Sequence, residues 1–401
     1  MNIRIYPSVA RGTVSAPPSK SMAHRLLICA ALAKGESRID GISDCEDVQA
    51  TLDCLRALGA ECKIDNNFVI VKGIDFSNQS TSVLPCRESG STMRFMLPLC
   101  LLSGEKYTLI GAPSLLSRPM KVYQDLCQEH NMFFEQTDSG ITVAGRLQPA
   151  EYTLPGDVSS QFISGMLFAL TQVAGESVLH ILPPFESRSY VFLTLQALSL
   201  FGADIEWIDE NTLSVRGGKP MKAQTLTVEG DYSGAAFLSA FNFLGGEVTV
   251  TGLDPKSLQG DRIYFEHFAS LKKGFATISL ADCPDLAPIL FALAAKGQGA
   301  RFTDTKRLKI KESDRAEAMA TELRKFGVSV AVGENEVLIT PTDFHAPREP
   351  LSGHNDHRIV MSLAVLATMT GGTIEGAEAV AKSFPDFFER IASLGIQFEE
   401  I

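Results

Sequence analysis

Hydrophobic and polar positions along this chain follow a phrase that returns six times. A few small polar residues precede an apolar run at helical spacing, a glycine closes the run, and a strand-like alternation follows. The six starts read Pro18-Ser19-Lys20-Ser21, Ser89-Gly90-Ser91-Thr92, Ser159-Ser160-Gln161, Asp231-Tyr232-Ser233-Gly234, Cys283-Pro284-Asp285 and His354-Asn355-Asp356-His357. The closing glycines are Gly35, Gly104, Gly175, Gly246, Gly297 and Gly372, spaced near 70 residues apart with one step of 51. A period of this length predicts one supersecondary unit used repeatedly. The second half of the phrase is also legible. Leu55-Arg56-Ala57-Leu58-Gly59-Ala60 is echoed around Gly202, Gly327 and Gly395, each reading as a helix closed by a left-handed glycine. Alternation in Asn67–Gly73 and Asn211–Val215 predicts strands leaving a turn. The copies near Leu126 and Lys273 are faint. Two helices and several strands per unit make the fold α/β or α+β.

Three units occupy residues 13–226 and three occupy 227–401, which predicts two domains divided near Gly217-Gly218-Lys219-Pro220. Residues 1–12 precede the first unit and could pair with either half. Hydrophobic content of 45% and charged content of 21% are globular values. A net charge of −11 argues against nucleic acid or an anionic membrane as a bulk partner, yet leaves room for small anions at local cations and helix ends. Eight cysteines without a Cys-x-x-Cys pair read as reduced, buried thiols. With no apolar signal core at Met1–Pro7 and no run long enough to span a membrane, a soluble cytoplasmic protein is expected.

Ser, Thr, Asp and Asn at a helix start cap free N–H groups, and that end carries partial positive charge. Several such starts brought together would build an anion site from backbone. Lys20 and Ser21 fall in a first helical turn, with Arg25 one turn further near the same face. A lysine there opposes the helix dipole, so it is either a solvated surface residue or an anion clamp. In Arg87-Glu88-Ser89-Gly90-Ser91-Thr92-Met93-Arg94, Gly90 lets a ligand approach the backbone, flanked by hydroxyls and Arg94. Ser159-Ser160-Gln161 and Ser187-Arg188-Ser189-Tyr190 offer neutral donors and acceptors suited to a polyhydroxylated, phosphorylated ring. Arg118 reads equally as a further clamp or as a neighbour of a helix cap. Lys311 and Glu312 precede a helix capped by Ser313 or Asp314; a carboxylate beside an ammonium is either a proton carrier or an exposed ion-paired turn. Asp285 adds a carboxylate, and Asp356-His357-Arg358 an imidazole and a guanidinium. His354 and His357 lack a third ligand at metal spacing, so no metal is expected.

Five segments taken together resemble the enolpyruvyl transferase family, in its order and across about residues 11–390. They are Ser19-Lys20-Ser21 with Arg25, Ser89-Gly90-Ser91-Thr92-Met93-Arg94, Lys311-Glu312-Ser313-Asp314-Arg315, Asp356-His357-Arg358 and Ala381-Lys382-Ser383-Phe384-Pro385-Asp386. The resemblance implies a two-domain α/β fold of six βαβαββ repeats, three per domain, with the active site in the cleft between them. It also implies that residues 1–12 join the C-terminal domain, so that the chain crosses twice and forms a hinge. The implied reaction moves the enolpyruvyl group of phosphoenolpyruvate to the 5-hydroxyl of shikimate 3-phosphate, in the shikimate pathway, with glyphosate as an analogue inhibitor. No cofactor is implied, and the family tendency is monomeric.

By the same resemblance, shikimate 3-phosphate would be held by Lys20, Ser21, Arg25, Ser159, Ser160, Gln161, Ser187, Asp285 and Lys311. Phosphoenolpyruvate would be held by Lys20, Gly90, Arg118, Gln161, Arg315, Arg358 and Lys382. Asp285 is assigned to the 5-hydroxyl proton and Glu312 to the C3 proton, with Lys20 stabilising developing charge and serving as an alternative acid. Two positions depart from the family pattern: Glu88 and Arg307 stand where asparagine is common. Three alternatives are weaker. A sugar-nucleotide enolpyruvyl transferase would need a reactive cysteine near Arg118, and Ser114–Pro119 has none. A non-catalytic anion binder gains nothing from carboxylates beside phosphates. An RNA 3′-end enzyme conflicts with the net charge.

Overall fold

A computed structural model describes residues 1–74 and 81–401. The chain forms two compact units, one of Lys20–Glu229 and one of Met1–Ser19 with Gly230–Ile401. These limits differ from the expected 12/13 and 226/227. Residues 13–19 go with the second unit because strand Arg11–Ser15 runs parallel to Glu247–Thr251, Arg11 opposite Glu247 and Ser15 opposite Thr251, and Pro18 bridges Gly230. Thr225–Thr227 stays with the first by pairing parallel to Arg38, Ile39 and Asp40.

One sheet topology recurs in both units. An edge strand lies parallel to its neighbour, and that neighbour is antiparallel to a third strand that pairs antiparallel with the fourth. In Lys20–Glu229 three four-stranded sheets are built on Glu36–Asp40, Lys106–Ile110 and Gly175–Leu182. In the other unit two full sheets are built on Ala300–Thr303 and Gly372–Glu375, the latter completed by the N-terminal strand Asn2–Ile5. The fourth repeat, which starts at Asp231, is truncated. After helix Tyr264–Lys273, Gly274 leads directly into Ala276–Ser279 of the next sheet, leaving only the parallel pair. The missing hairpin accounts for the 51-residue step and the faint copy near Lys273. Near Leu126 the helix Lys121–Glu129 closes without glycine, and Asn131 (φ 55°) takes the left-handed position instead.

All six polar starts become helix N-termini, and the helices they open are buried on nearly every face. Helix Ala287–Lys296 buries every residue from Ala287 to Ala295. Such all-round apolar helices form the centre of a unit; each unit has its own apolar core. Their burial is what holds the polar first turns in fixed positions. Helices Gly90–Cys100 and Ser160–Leu170 pack closely because of Gly165: a Cβ there would lie 2.4 Å from the Arg94 carbonyl oxygen and 2.3 Å from Tyr123 Oη. Tyr123 donates to the Arg94 and Phe162 carbonyls at 2.8 and 3.0 Å, tying the pair together.

Candidate active site

In Lys20–Glu229 the expected anion-binding residues sit at the starts of buried helices. Lys20 opens helix Lys20–Leu32, and its Nζ lies 2.7 Å from Asp47 Oδ2 on the neighbouring helix Glu46–Ala57. Arg25 is buried and rigidly bonded: Nε donates to Thr194 Oγ1 (2.8 Å), Nη2 to the Tyr190 carbonyl (2.9 Å) and Nη1 to the Ser21 carbonyl (2.6 Å). Thr194 in turn lies 2.7 Å from Ser164. Arg25 therefore ties the Lys20 and Ser187 segments to the helix that Ser160 opens. Burial pushes the Arg25 guanidinium down to about 10, so it stays charged at neutral pH. His24 is buried between Thr51 (2.7 Å from Nδ1) and Ser91 (3.3 Å from Nε2); burial, with Lys20 and Arg25 adding to it, holds its pKa well below the usual imidazole range, so it is neutral.

Gly90 is the first residue of its helix, capped by Ser89, whose hydroxyl accepts from Thr92 N at 3.3 Å. Two guanidiniums crowd this glycine. A Cβ on Gly90 would stand 2.6 Å from Arg118 Nη1 and 3.4 Å from Arg94 Nη1. Arg94 donates to Gln161 Oε1 at 2.6 Å, and Ser159 caps the Gln161 helix. Arg118 thus stands beside Gly90, buried, with Nε making no hydrogen bond. Ser187 is buried in the left-handed region (φ 52°) just before helix Arg188–Leu200.

The other unit gathers its charges around Asp285, in the turn Pro284–Leu286 before helix Ala287–Lys296. Oδ1 accepts from Lys311 Nζ (3.1 Å) and Arg315 Nη1 (2.8 Å), and Oδ2 from Arg358 Nη2 (3.2 Å). Burial pushes this carboxyl up, but Arg358, Lys311 and Arg315 together outweigh it and hold it well below the usual carboxylate range. Arg315 is the hub. Its Nη2 donates to Glu312 Oε2 (2.7 Å) and its Nε to Asp356 Oδ2 (2.9 Å). Burial alone would lower its pKa; Asp356, Glu312 and Asp285 prevail and raise it. Asp314 is the residue that caps helix Arg315–Lys325, which leaves Lys311 and Glu312 in the preceding loop as expected. Asp356 caps helix His357–Ala367 and also accepts from Ser313. Lys382 donates to the Asn355 carbonyl at 2.8 Å, and Arg307 to the Ala281 carbonyl.

The predicted residues thus form two groups, one in each unit: Lys20, Ser21, Arg25, Gly90, Arg118, Ser159, Ser160, Gln161 and Ser187, and Asp285, Lys311, Glu312, Arg315, Arg358 and Lys382. Sequence reasoning missed Asp47 and Thr194. Asp47 reads as an ordinary first-turn acid, Thr194 lies mid-helix, and only contact with a distant cation marks either one.

The family model for EPSP synthase (3-phosphoshikimate 1-carboxyvinyltransferase) matches residues 6–391. A 3-phosphoshikimate 1-carboxyvinyltransferase of Clostridium kluyveri is 37% identical, over 99% of this chain and 98% of that one. Among solved structures, EPSP synthase from Acinetobacter baumannii superposes with a TM-score of 0.77 at 25% identity, covering 99% of both chains. The enolpyruvyl transferase NikO from Streptomyces tendae shares the fold, with a TM-score of 0.78 at 17% identity over 99% of this chain and 98% of that one.

Proposed function

The chain belongs to the EPSP synthase family, and from that premise we propose how its side chains share the family's reaction. The enzyme transfers the enolpyruvyl group of phosphoenolpyruvate to the 5-hydroxyl of shikimate 3-phosphate and releases inorganic phosphate. Shikimate 3-phosphate is bound by Lys20, Ser21, Arg25, Ser159, Ser160, Gln161, Ser187, Asp285 and Lys311. Phosphoenolpyruvate is bound by Lys20, Gly90, Arg118, Gln161, Arg315, Arg358 and Lys382. Arginine forks suit carboxylate and phosphate, and Gly90 leaves a helix start bare for an anion.

The observation that carries this reading is the Asp285 cluster, three cations on one partly buried carboxylate that shares Arg315 with Glu312. The chemistry needs a proton delivered to C3 of the enol while the 5-hydroxyl loses one and attacks C2. The tetrahedral adduct then loses phosphate and a C3 proton. Asp285 accepts the hydroxyl proton, Glu312 serves C3, and Lys20, held against Asp47, stabilises the developing charge. The same cations that keep Asp285 ionised make it a weak base. Anionic substrates that draw on Arg315 and Arg358 loosen this hold and raise its basicity, so base strength is coupled to occupancy.

The division of labour predicts separable losses. Arg25→Ala weakens shikimate 3-phosphate binding about tenfold or more in a calorimetric titration, with the KM for phosphoenolpyruvate changing little. Arg358→Lys does the reverse. Equal loss of both substrates in either variant, with folding intact by thermal melting, contradicts the assignment.

A further inference from the structure

The mechanism above does not use the buried carboxyl of Asp261. Lys311, Arg315 and Arg358 balance Asp285, Glu312 and Asp356 in number. Asp261 is a further carboxyl, 4% exposed, in the turn Gly260–Ile263. The turn is fixed by the adjacent Gln259, whose side chain accepts from Tyr232 N (2.9 Å) and donates to the Gly230 carbonyl (2.8 Å). The Ser233 hydroxyl hydrogen-bonds Asp261 and also accepts from Arg358 Nη1. Arg358 Nη1 reaches the Asp285 carbonyl as well, and Nη2 reaches its carboxylate. Asp261, Ser233, Arg358 and Asp285 are therefore connected in line.

The groups facing Asp261 from the packed elements are Asp285, Arg358, Asp231 and Cys283. Asp231 caps the Ser233 helix, accepting from Ser233 N at 2.9 Å. The Cys283 thiol is pushed up by burial and is neutral. Arg262, next in sequence, turns its head to the Ser257 carbonyl. Burial first and Asp285 second push the Asp261 carboxyl up to about 7, with Arg358 and Ser233 opposing them.

We propose that Asp261 is a positioning residue for anion binding at Arg358. As the neutral acid it leaves three cations facing three carboxylates, with the Ser233-bound guanidinium set for the substrate anion. As the carboxylate it adds a negative charge at Ser233, attracts Arg358 inward and weakens the anion's hold. The inference rests on the reading that Arg358 binds phosphoenolpyruvate.

Asp261→Asn keeps the shape and cannot ionise. The KM for phosphoenolpyruvate is measured in the intact protein and the variant between about pH 6 and pH 8.5 with shikimate 3-phosphate saturating. The substrate's own phosphate titrates alike in both, so the ratio of the two KM values isolates Asp261. The expected ratio, wild type over variant, is near one at the acid end and about tenfold at the alkaline end, with kcat little changed. A ratio that is flat with pH overturns the proposal. Thermal melting supplies a second readout. A carboxyl whose pKa is raised on folding contributes fully below its unfolded value near 4, and that contribution is lost as pH rises towards 7. The variant should therefore gain in Tm over wild type across that range; a constant Tm difference also overturns the proposal. Arg358→Lys separates the two ideas. If it leaves the KM for phosphoenolpyruvate unchanged, the site reading falls and the proposal with it. If it raises KM while the Asp261 ratio stays flat, only the role of Asp261 falls.

Discussion

Replacing Gly90 by alanine perturbs the site through a single methyl group. Gly90 does not have a positive φ, so alanine meets no backbone strain there. In a first helical turn alanine even gains up to about 1 kcal/mol over glycine. The new Cβ would stand 2.6 Å from Arg118 Nη1, where ordinary contact begins at 3.4 Å, so the Arg118 head must withdraw by about the 0.8 Å difference. The head is the end of a flexible side chain, which makes the shift cheap for folding and costly for a guanidinium aimed at an anion. A hydrogen bond to a charged group contributes about 1.5–3 kcal/mol, so the KM for phosphoenolpyruvate should rise about 10- to 100-fold. Glyphosate, the longer ligand, should lose more, because the methyl intrudes on it directly. Initial-rate phosphate release with and without glyphosate gives both constants, and calorimetry gives Tm. Unchanged KM with unchanged inhibition refutes the placement of the anion at Gly90. Equal loss of the two ligands refutes the intrusion argument, and a Tm lowered by many degrees shows that the backbone, not Arg118, absorbs the clash.

Glu312→Gln should lower kcat about 10²–10⁴-fold while shikimate 3-phosphate still binds; a near wild-type kcat removes Glu312 from proton transfer. Asp285→Asn should show a similar loss of rate. It should also cost stability, measurable by denaturant titration, because Lys311, Arg315 and Arg358 lose their common partner. Asp356→Asn should cost about 3–5 kcal/mol at neutral pH by breaking a buried pair with Arg315. Burial opposes ionisation of Asp356 and Arg315 overcomes it, so its folded pKa is depressed. Its contribution is present above the unfolded value near 4 and is lost as pH falls below that value, so the variant's stability should decline less steeply in acid than that of wild type. A parallel acid limb in the two proteins contradicts this.

The repeat was legible because two of its marks are local. A small polar cap followed by an apolar run gave all six helix starts, and left-handed glycines such as Gly59 (φ 102°) and Gly327 (φ 80°) closed the second helices. The unit boundary was misplaced because it depends on pairing across more than 200 residues: Val14 lies opposite Val250, and nothing in residues 13–19 announces that partner. The truncated fourth repeat left a trace only as a short step. In the candidate site, cations at helix starts were visible because they oppose the helix dipole, as Lys20 does. Their partners were not. Asp47 and Asp261 look like first-turn acids of their own elements, and only burial beside a distant cation or hydroxyl distinguishes them.

The most direct test of the account is phosphate release from phosphoenolpyruvate by the purified protein, with shikimate 3-phosphate, UDP-N-acetylglucosamine or no acceptor. The account predicts release that depends on shikimate 3-phosphate, with one 5-enolpyruvyl product formed per phosphate. Release only with the sugar nucleotide, or none with either while both shikimate-pathway ligands bind, would contradict it.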